Sequence, residues 1–269
     1  MSLKLDKDPR MVHASVFYNN GDLAKCRHIL ETMLQEAEYS QASKSVEILW
    51  RMAMVALREQ KFEEAEVILN KVLSIDSLCV QALQMQFMLW EQAGNTQAIA
   101  DAVAEIEKHI NNDDSLAMLV ISANLNYLKN ANRAIEQLLS LAKRNDTTVE
   151  YREFAANLLL SMKRYEEAET VVKKALKFVK DDMKILAALA YSLAMQDKEQ
   201  ELIPVIEKLA PRTRDNSEVA WLIGQVYEKL GQNANALKAY QNGKIIINRH
   251  KVIDERFDIK IKELKDEKL

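Results

Sequence analysis

KRYEEAETVVKKAL, residues 163–176, has a near copy upstream, KFEEAEVILNKVL at residues 61–73. In both, an aromatic residue, two glutamates and an alanine stand in the same order ahead of apolar positions at helical spacing. Short amphipathic stretches resemble one another by chance, so the test is recurrence at a fixed interval. With Ala65 and Ala168 as reference points, equivalent positions fall at Ile99, Ala134, Leu202 and Ala236, in steps of 34 or 35 residues. A further copy, GDLAKCRHIL, places Cys26 39 residues before Ala65, with the extra length in the polar stretch 35–45. Self-similarity at so short a period marks stacked repeats, each packed on its neighbours, in place of one compact core.

With repeats starting at residues 7, 46, 80, 115, 149, 183 and 217, the periodicity acquires a physical meaning. Position 8 is small in six repeats (Ala14, Ala53, Ser122, Ala156, Ala190, Gly224) and Phe87 in the other. Position 11 is large in six (Phe17, Trp90, Leu125, Leu159, Leu193, Tyr227) and Ala56 in the other. Position 24 is apolar throughout: Leu30, Leu69, Val103, Leu138, Val172, Ile206 and Tyr240. Small residues let two antiparallel helices approach and large ones fill the space beside the contact, so each repeat is predicted to be a helical hairpin. Expected N-caps are Asp8 before Pro9, Ser77, Thr147 with Glu150 three residues on, and Asp215 or Asn216. Glu63, Glu64, Glu166 and Glu167 near the starts of second helices, and Lys71, Lys173 and Lys174 in their later turns, suit the helix dipole.

These residues resemble the tetratricopeptide repeat family. The segment 217–243, SEVAWLIGQVYEKLGQNANALKAYQNG, carries Gly224, Tyr227, Gly231, Ala236 and Tyr240 at the family's positions, with Gly243 where an alanine is usual. The likeness covers about residues 7–250. The repeat at 183 is degenerate, with Glu199 and Leu202 in place of an aromatic and an alanine, and the repeat at 80 has a one-residue ambiguity. The expected fold is an all-α solenoid of about seven hairpins forming a single domain over residues 1–269. Residues 251–269 are expected to form a capping helix with Ile253, Phe257, Ile261 and Leu264 on one face.

Composition agrees with a folded helical protein: 48% hydrophobic and 29% charged residues, with 5 glycines and 3 prolines in 269 residues. No run of apolar residues is long enough to span a bilayer, and the opening MSLKLDKDPR is too polar for a signal peptide, so a soluble, cytoplasmic protein is expected. A net charge of −3 gives no general attraction to nucleic acid or anionic membranes. His13, His28, His109 and His250 are dispersed, and Cys26 and Cys79 lack metal-ligand spacing. Phosphate-binding glycine loops and nucleophile motifs are missing from the sequence. No enzymatic activity, metal or cofactor is therefore expected.

The resemblance implies that first helices line a concave groove through repeat positions 2, 5, 9, 12 and 13. Carried onto this sequence, the groove candidates are Trp50, Met54, Met88, Leu119 and Tyr127, then Glu150, Glu153, Asn157, Tyr191, Trp221 and Gln225. The first group is apolar and methionine-rich and the second more acidic, which implies a protein or peptide partner with apolar anchors and basic residues. The competing role for Trp50, Met54 and Trp221 is packing against the next helix. Position 5 holds no lysine in any repeat, which argues against the carboxylate clamp of chaperone-binding relatives. The expected function is a non-enzymatic scaffold, adaptor or assembly factor. The alternatives are an architectural subunit of a larger complex and, less favoured on charge, an RNA-binding helical-repeat protein.

Overall fold

The computed structural model describes residues 8–38, 42–110, 113–144 and 149–266, and contains fifteen α-helices and no strand among the described residues. These fall into two compact units divided between Asn130 and Ala131. The first holds α1 (Pro9–Asn19), α2 (Leu23–Glu38), α3 (Ala42–Arg58), α4 (Phe62–Ile75), α5 (Val80–Gln92), α6 (Thr96–Glu107) and α7 (Asp114–Asn126). The second holds α8 (Ala131–Arg144), α9 (Val149–Ser161), α10 (Tyr165–Ala175), α11 (Met183–Met195), α12 (Glu199–Leu209), α13 (Ser217–Lys229), α14 (Asn233–His250) and α15 (Arg256–Asp266).

Within each unit the helices pair as hairpins: α1/α2, α3/α4 and α5/α6 in the first, and α9/α10, α11/α12 and α13/α14 in the second. First helices also stack on one another, α3 on α5 and α5 on α7, and likewise α9 on α11 and α11 on α13. Most second helices then pack against the first helix that follows; between α12 and α13 the contact runs through the short 3₁₀ turn Ala210–Arg212. The small residues mark these contacts. Ala53, Ala65, Ala134, Ala156, Ala168, Ala190 and Ala236 are all fully buried. In the degenerate repeat Leu202 fills the alanine position and is 1% exposed, so the hairpin forms around a larger side chain.

Every turn inside a repeat passes through a left-handed residue: Gly21, Gln60, Gly94, Lys129, Lys163, Asp197 and Gly231. All occupy repeat position 15, but only three are glycine. Six share one hydrogen-bond pattern, in which the left-handed residue's N–H and the next N–H bond back to the end of the first helix, as in Gln60 N to Leu57 O (3.0 Å) and Lys61 N to Ala56 O (2.9 Å). This closes the helix by satisfying its last carbonyls. A left-handed conformation costs a non-glycine residue about 1–2 kcal/mol, and the two bonds together with the hairpin contact behind them offset that cost.

Several expected details change. Asp8 and Asn216 cap α1 and α13 as expected, but Ser77 does not cap α5, which begins after Cys79 with no side-chain cap. Thr147 lies outside the described residues. The terminal helix is shorter than residues 251–269: α14 continues to His250, Lys251 turns left-handed, and α15 starts only at Arg256, with 267–269 outside the described residues. Ile253 therefore precedes the helix and is 90% exposed, whereas Phe257 and Leu264 are buried as expected.

Phe257 explains why Gly243 stands where alanine is usual. A Cβ on Gly243 would lie 2.2 Å from the Phe257 ring, just as one on Gly224 would lie 2.3 Å from the Tyr240 ring. Gly243→Ala gains about 1 kcal/mol of helix propensity but forces overpacking worth about 1–3 kcal/mol, because the fully buried ring has nowhere to move. The expected outcome is a lower melting temperature; a variant as stable as the parent would show that Phe257 does not fill that gap.

Glu169 on α10 ties its hairpin to the next one. Its buried carboxylate accepts from Lys173 at 2.6 Å, from Lys198 at 2.8 Å and from Gln196 at 2.8 Å, the last two lying at the α11/α12 turn. Burial alone would push the carboxyl up, but these donors outweigh it and hold it at about 2. A depressed carboxyl contributes stability that is present above its ordinary value of 4.5 and lost as pH falls toward about 2. With the lysines partly exposed, the contribution is on the order of 1–3 kcal/mol. Thermal unfolding of wild type against Glu169→Gln should show the variant less stable at neutral pH and the difference shrinking between about pH 4.5 and about pH 2. Parallel curves would mean that Glu169 does not act as an ionised tie.

Candidate functional site

In the first unit, the N-terminal halves of α3, α5 and α7 border an open cleft of about 720 Å³ whose lining includes Trp50, Gln84 and Ser115. Trp50 is half-buried, with the Arg51 guanidinium 4.6 Å from its ring, and Arg51 is itself held by Glu47 at 3.1 Å. A cation on the indole face orients the ring and leaves the remaining surface open. Met54, one turn on, is half-buried and lines a smaller cleft of about 260 Å³ bounded by α1 and α2, with Tyr18, Cys26 and Leu30 among its walls. Met88 on α5 is half-buried. Tyr127 is half-buried edge-on to Phe87, with ring centroids 6.2 Å apart, and burial followed by the nearby Glu91 pushes its hydroxyl pKa up.

Leu119 departs from the expected groove. It is 3% exposed and packs in the core with Leu83, Phe87, Ile99 and Val120. The cause is register. Helices α5, α9, α11 and α13 begin at Val80, Val149, Met183 and Ser217, the expected starts, but α7 begins at Asp114, capped by Asp113 through bonds to the amides of Ser115 (2.8 Å) and Leu116 (3.1 Å). The first helix of the fourth repeat thus runs one residue earlier than its alignment. The extra residue is absorbed after it, where Leu128 N bonds to Ala123 O (3.0 Å) and Asn130 N to Asn124 O (2.7 Å), one residue wider than in the other turns. Correcting the register moves the accessible positions to Ser115, Met118, Ser122 and Leu125, all exposed or half-buried. Asp113 was the available sequence signal: an aspartate three residues before Leu116 is a strong cap.

In the second unit Glu150 and Asn157 are exposed on α9. Glu153, on the same helix, pairs with Lys184 of α11 at 3.2 Å. Tyr191 is half-buried and edge-on to Tyr165 at 6.2 Å, and burial pushes its hydroxyl pKa up. Gln225 is half-buried. Trp221 is engaged by the terminal helix: its ring lies 5.2 Å from those of Tyr240 and Phe257 and 4.9 Å from the Arg256 guanidinium. Arg256 also pairs with Glu218 at 3.0 Å, and Lys260 with Glu228 at 3.3 Å. Three of the four acids on these faces are thus matched within the chain.

Among the described residues no group of three or more His, Cys, Asp or Glu side chains is placed to hold a metal ion. Cys26 and Cys79 are free and buried, and burial pushes both thiols up, away from reactivity.

The sequence pattern of the tetratricopeptide repeat family matches residues 46–77, 149–178 and 217–243, each stretch opening on a first helix. The chain carries tetratricopeptide repeats at these three stretches. Solved structures of such proteins share its fold: one from Parabacteroides merdae is 16% identical, with 96% of this chain and 98% of that one covered and a TM-score of 0.54. The C-terminal part of another, from Cytophaga hutchinsonii, is also 16% identical, with 86% and 92% covered and a TM-score of 0.53. At that identity the likeness extends to the solenoid fold and no further. No curated protein matches the sequence. No helix among the described residues is long and apolar enough to cross a membrane.

The corrected register of the fourth repeat can be checked by a pair of substitutions on adjacent residues. Leu119→Ala should cost about 2–5 kcal/mol, as truncation of a buried leucine does, while Met118→Ala should change stability by less than about 1 kcal/mol. Chemical denaturation reads both, and the reverse ranking would restore the original alignment.

Proposed function

We propose that the chain works as a single-domain, non-enzymatic protein-binding scaffold, an adaptor or assembly factor that holds a segment of a partner protein on its first helices. The observation that supports this most directly is the cleft beside Trp50, an indole pinned by Arg51 and left partly open, next to the half-buried Met54. Methionine adapts to apolar side chains of varied shape, and a pre-oriented tryptophan loses little entropy on contact. Met88 and Tyr127 extend this surface in the first unit. In the second, Glu150, Asn157 and Gln225 offer polar contacts, with Glu150 suited to a basic residue of the partner. The internal pairing of Glu153, Glu218 and Glu228 favours the apolar anchors of the first unit over charge as the main source of affinity. The buried, unpaired cysteines suit a reducing, cytoplasmic setting.

The test is affinity capture from native, nuclease-treated extract with wild type beside Met54→Glu/Met88→Glu, both confirmed as folded by circular dichroism. A protein retained by wild type and reduced at least about ten-fold on the variant, equivalent to about 1.4 kcal/mol, identifies a partner held on the first helices. Equal retention of every captured protein would remove these side chains from the binding surface. A stoichiometric complex insensitive to both substitutions would favour an architectural subunit.

A further inference from the structure

The second helices of the second unit carry a separate feature. Helices α8 and α10, with α9 beneath them, enclose a cleft of about 310 Å³. Its floor is apolar: Ile135, Ala142, Leu159 and Val171 are buried and Leu139 is half-buried beside them. Lys143 and Lys174 stand exposed on its rim, in the last turn of α8 and of α10, and neither forms an ion pair with a described residue. The one acid on the lining, Glu167, is already taken: Arg164 donates to both its oxygens at 2.7 Å, which holds its carboxyl below the ordinary value. Arg152 closes one end, donating to the Ala142 carbonyl at 2.8 Å while lying 5.0 Å from the ring of the half-exposed Phe178.

The charge at this place is opposite in sign to that of the whole chain, which is −3. An apolar floor between two uncommitted ammonium groups suits a side chain without charge flanked by carboxylates. We infer that this cleft is a docking site for an acidic segment of a partner protein, which seats one aliphatic or aromatic side chain between α8 and α10 and sets carboxylates against Lys143 and Lys174. The apolar floor gives affinity and the lysines select sign and register. A nucleic acid fits less well, because the floor between the lysines is apolar and the exposed aromatic that could stack on a base already has Arg152 against it. The site is independent of the first-helix surface and does not require that surface to bind anything.

The test is selection of random peptides of about twelve residues, displayed on phage, against the full-length folded protein, with counter-selection on Lys143→Glu/Lys174→Glu. The expected winners combine Asp or Glu with Leu, Ile or Phe. A synthetic, fluorescently labelled winner should bind wild type, lose at least about ten-fold in affinity on the double variant and on Lys143→Ala/Lys174→Ala, and weaken as NaCl rises from about 50 to about 500 mM. Met54→Glu/Met88→Glu should leave its binding unchanged, which separates this site from the first-helix surface. Three results would overturn the inference: no peptide depleted by the counter-selection, winners that are basic or uncharged, or a labelled single-stranded RNA that binds wild type and is lost on the same lysine variants.

Discussion

Close approach of paired helices through very small side chains is the constraint on which everything else in this protein depends. Ala53 and Ala65, or Ala156 and Ala168, are fully buried because each takes up so little room between its two helices. Where one partner shrinks further the other grows. Gly224 lies against the full ring of Tyr240, and Gly243 against that of Phe257. Where position 8 is instead phenylalanine, at Phe87, position 24 in the same cluster is the smaller Val103. At the two glycines the space is shared unequally between the helices, as expected of interiors packed near crystalline density.

That constraint also shows why the fold was legible from sequence and where legibility stopped. Alanines at helical spacing recur because packing demands them, so the period, the hairpins and the first-helix starts at Val80, Val149, Met183 and Ser217 could be read directly. The turns could not. Gln60, Lys163 and Asp197 adopt the left-handed conformation that a reader would assign to glycine, because two backbone hydrogen bonds and the packed hairpin hold them there. With only 5 glycines in the chain, turn chemistry was almost silent. The register of the fourth repeat failed for a related reason. Ile121, Ser122 and Ala123 are adjacent, and a search for a small residue settles on Ser122, although Ile121 is the buried member at the 34-residue interval from Phe87.

The surface was less legible than the core, since exposure on a first helix depends on what the following helix brings. Trp221 reads as an exposed aromatic until Phe257 and Arg256, more than thirty residues later, are seen to cover it. Trp50 has the same helical position and a guanidinium beside it as well, but that guanidinium comes from its own neighbour Arg51 and leaves a cleft alongside. The two residues differ in partner, and the residues that cover Trp221 lie beyond its own repeat.

Charge followed the same rule more strongly. A count of acids on α9 and α13 gives an acidic face, yet Glu153, Glu218 and Glu228 each meet a cation supplied by the next first helix or by α15. Each such pair is worth little to stability at the surface, but each removes a charge that a partner could have used. Repeat stacking therefore neutralises first helices wherever a following helix carries the matching lysine or arginine. Charge left unmatched then has the greater meaning. Two such charges, Lys143 and Lys174, stand on the second helices beside an apolar floor, where the one lining carboxylate, Glu167, is already held by Arg164.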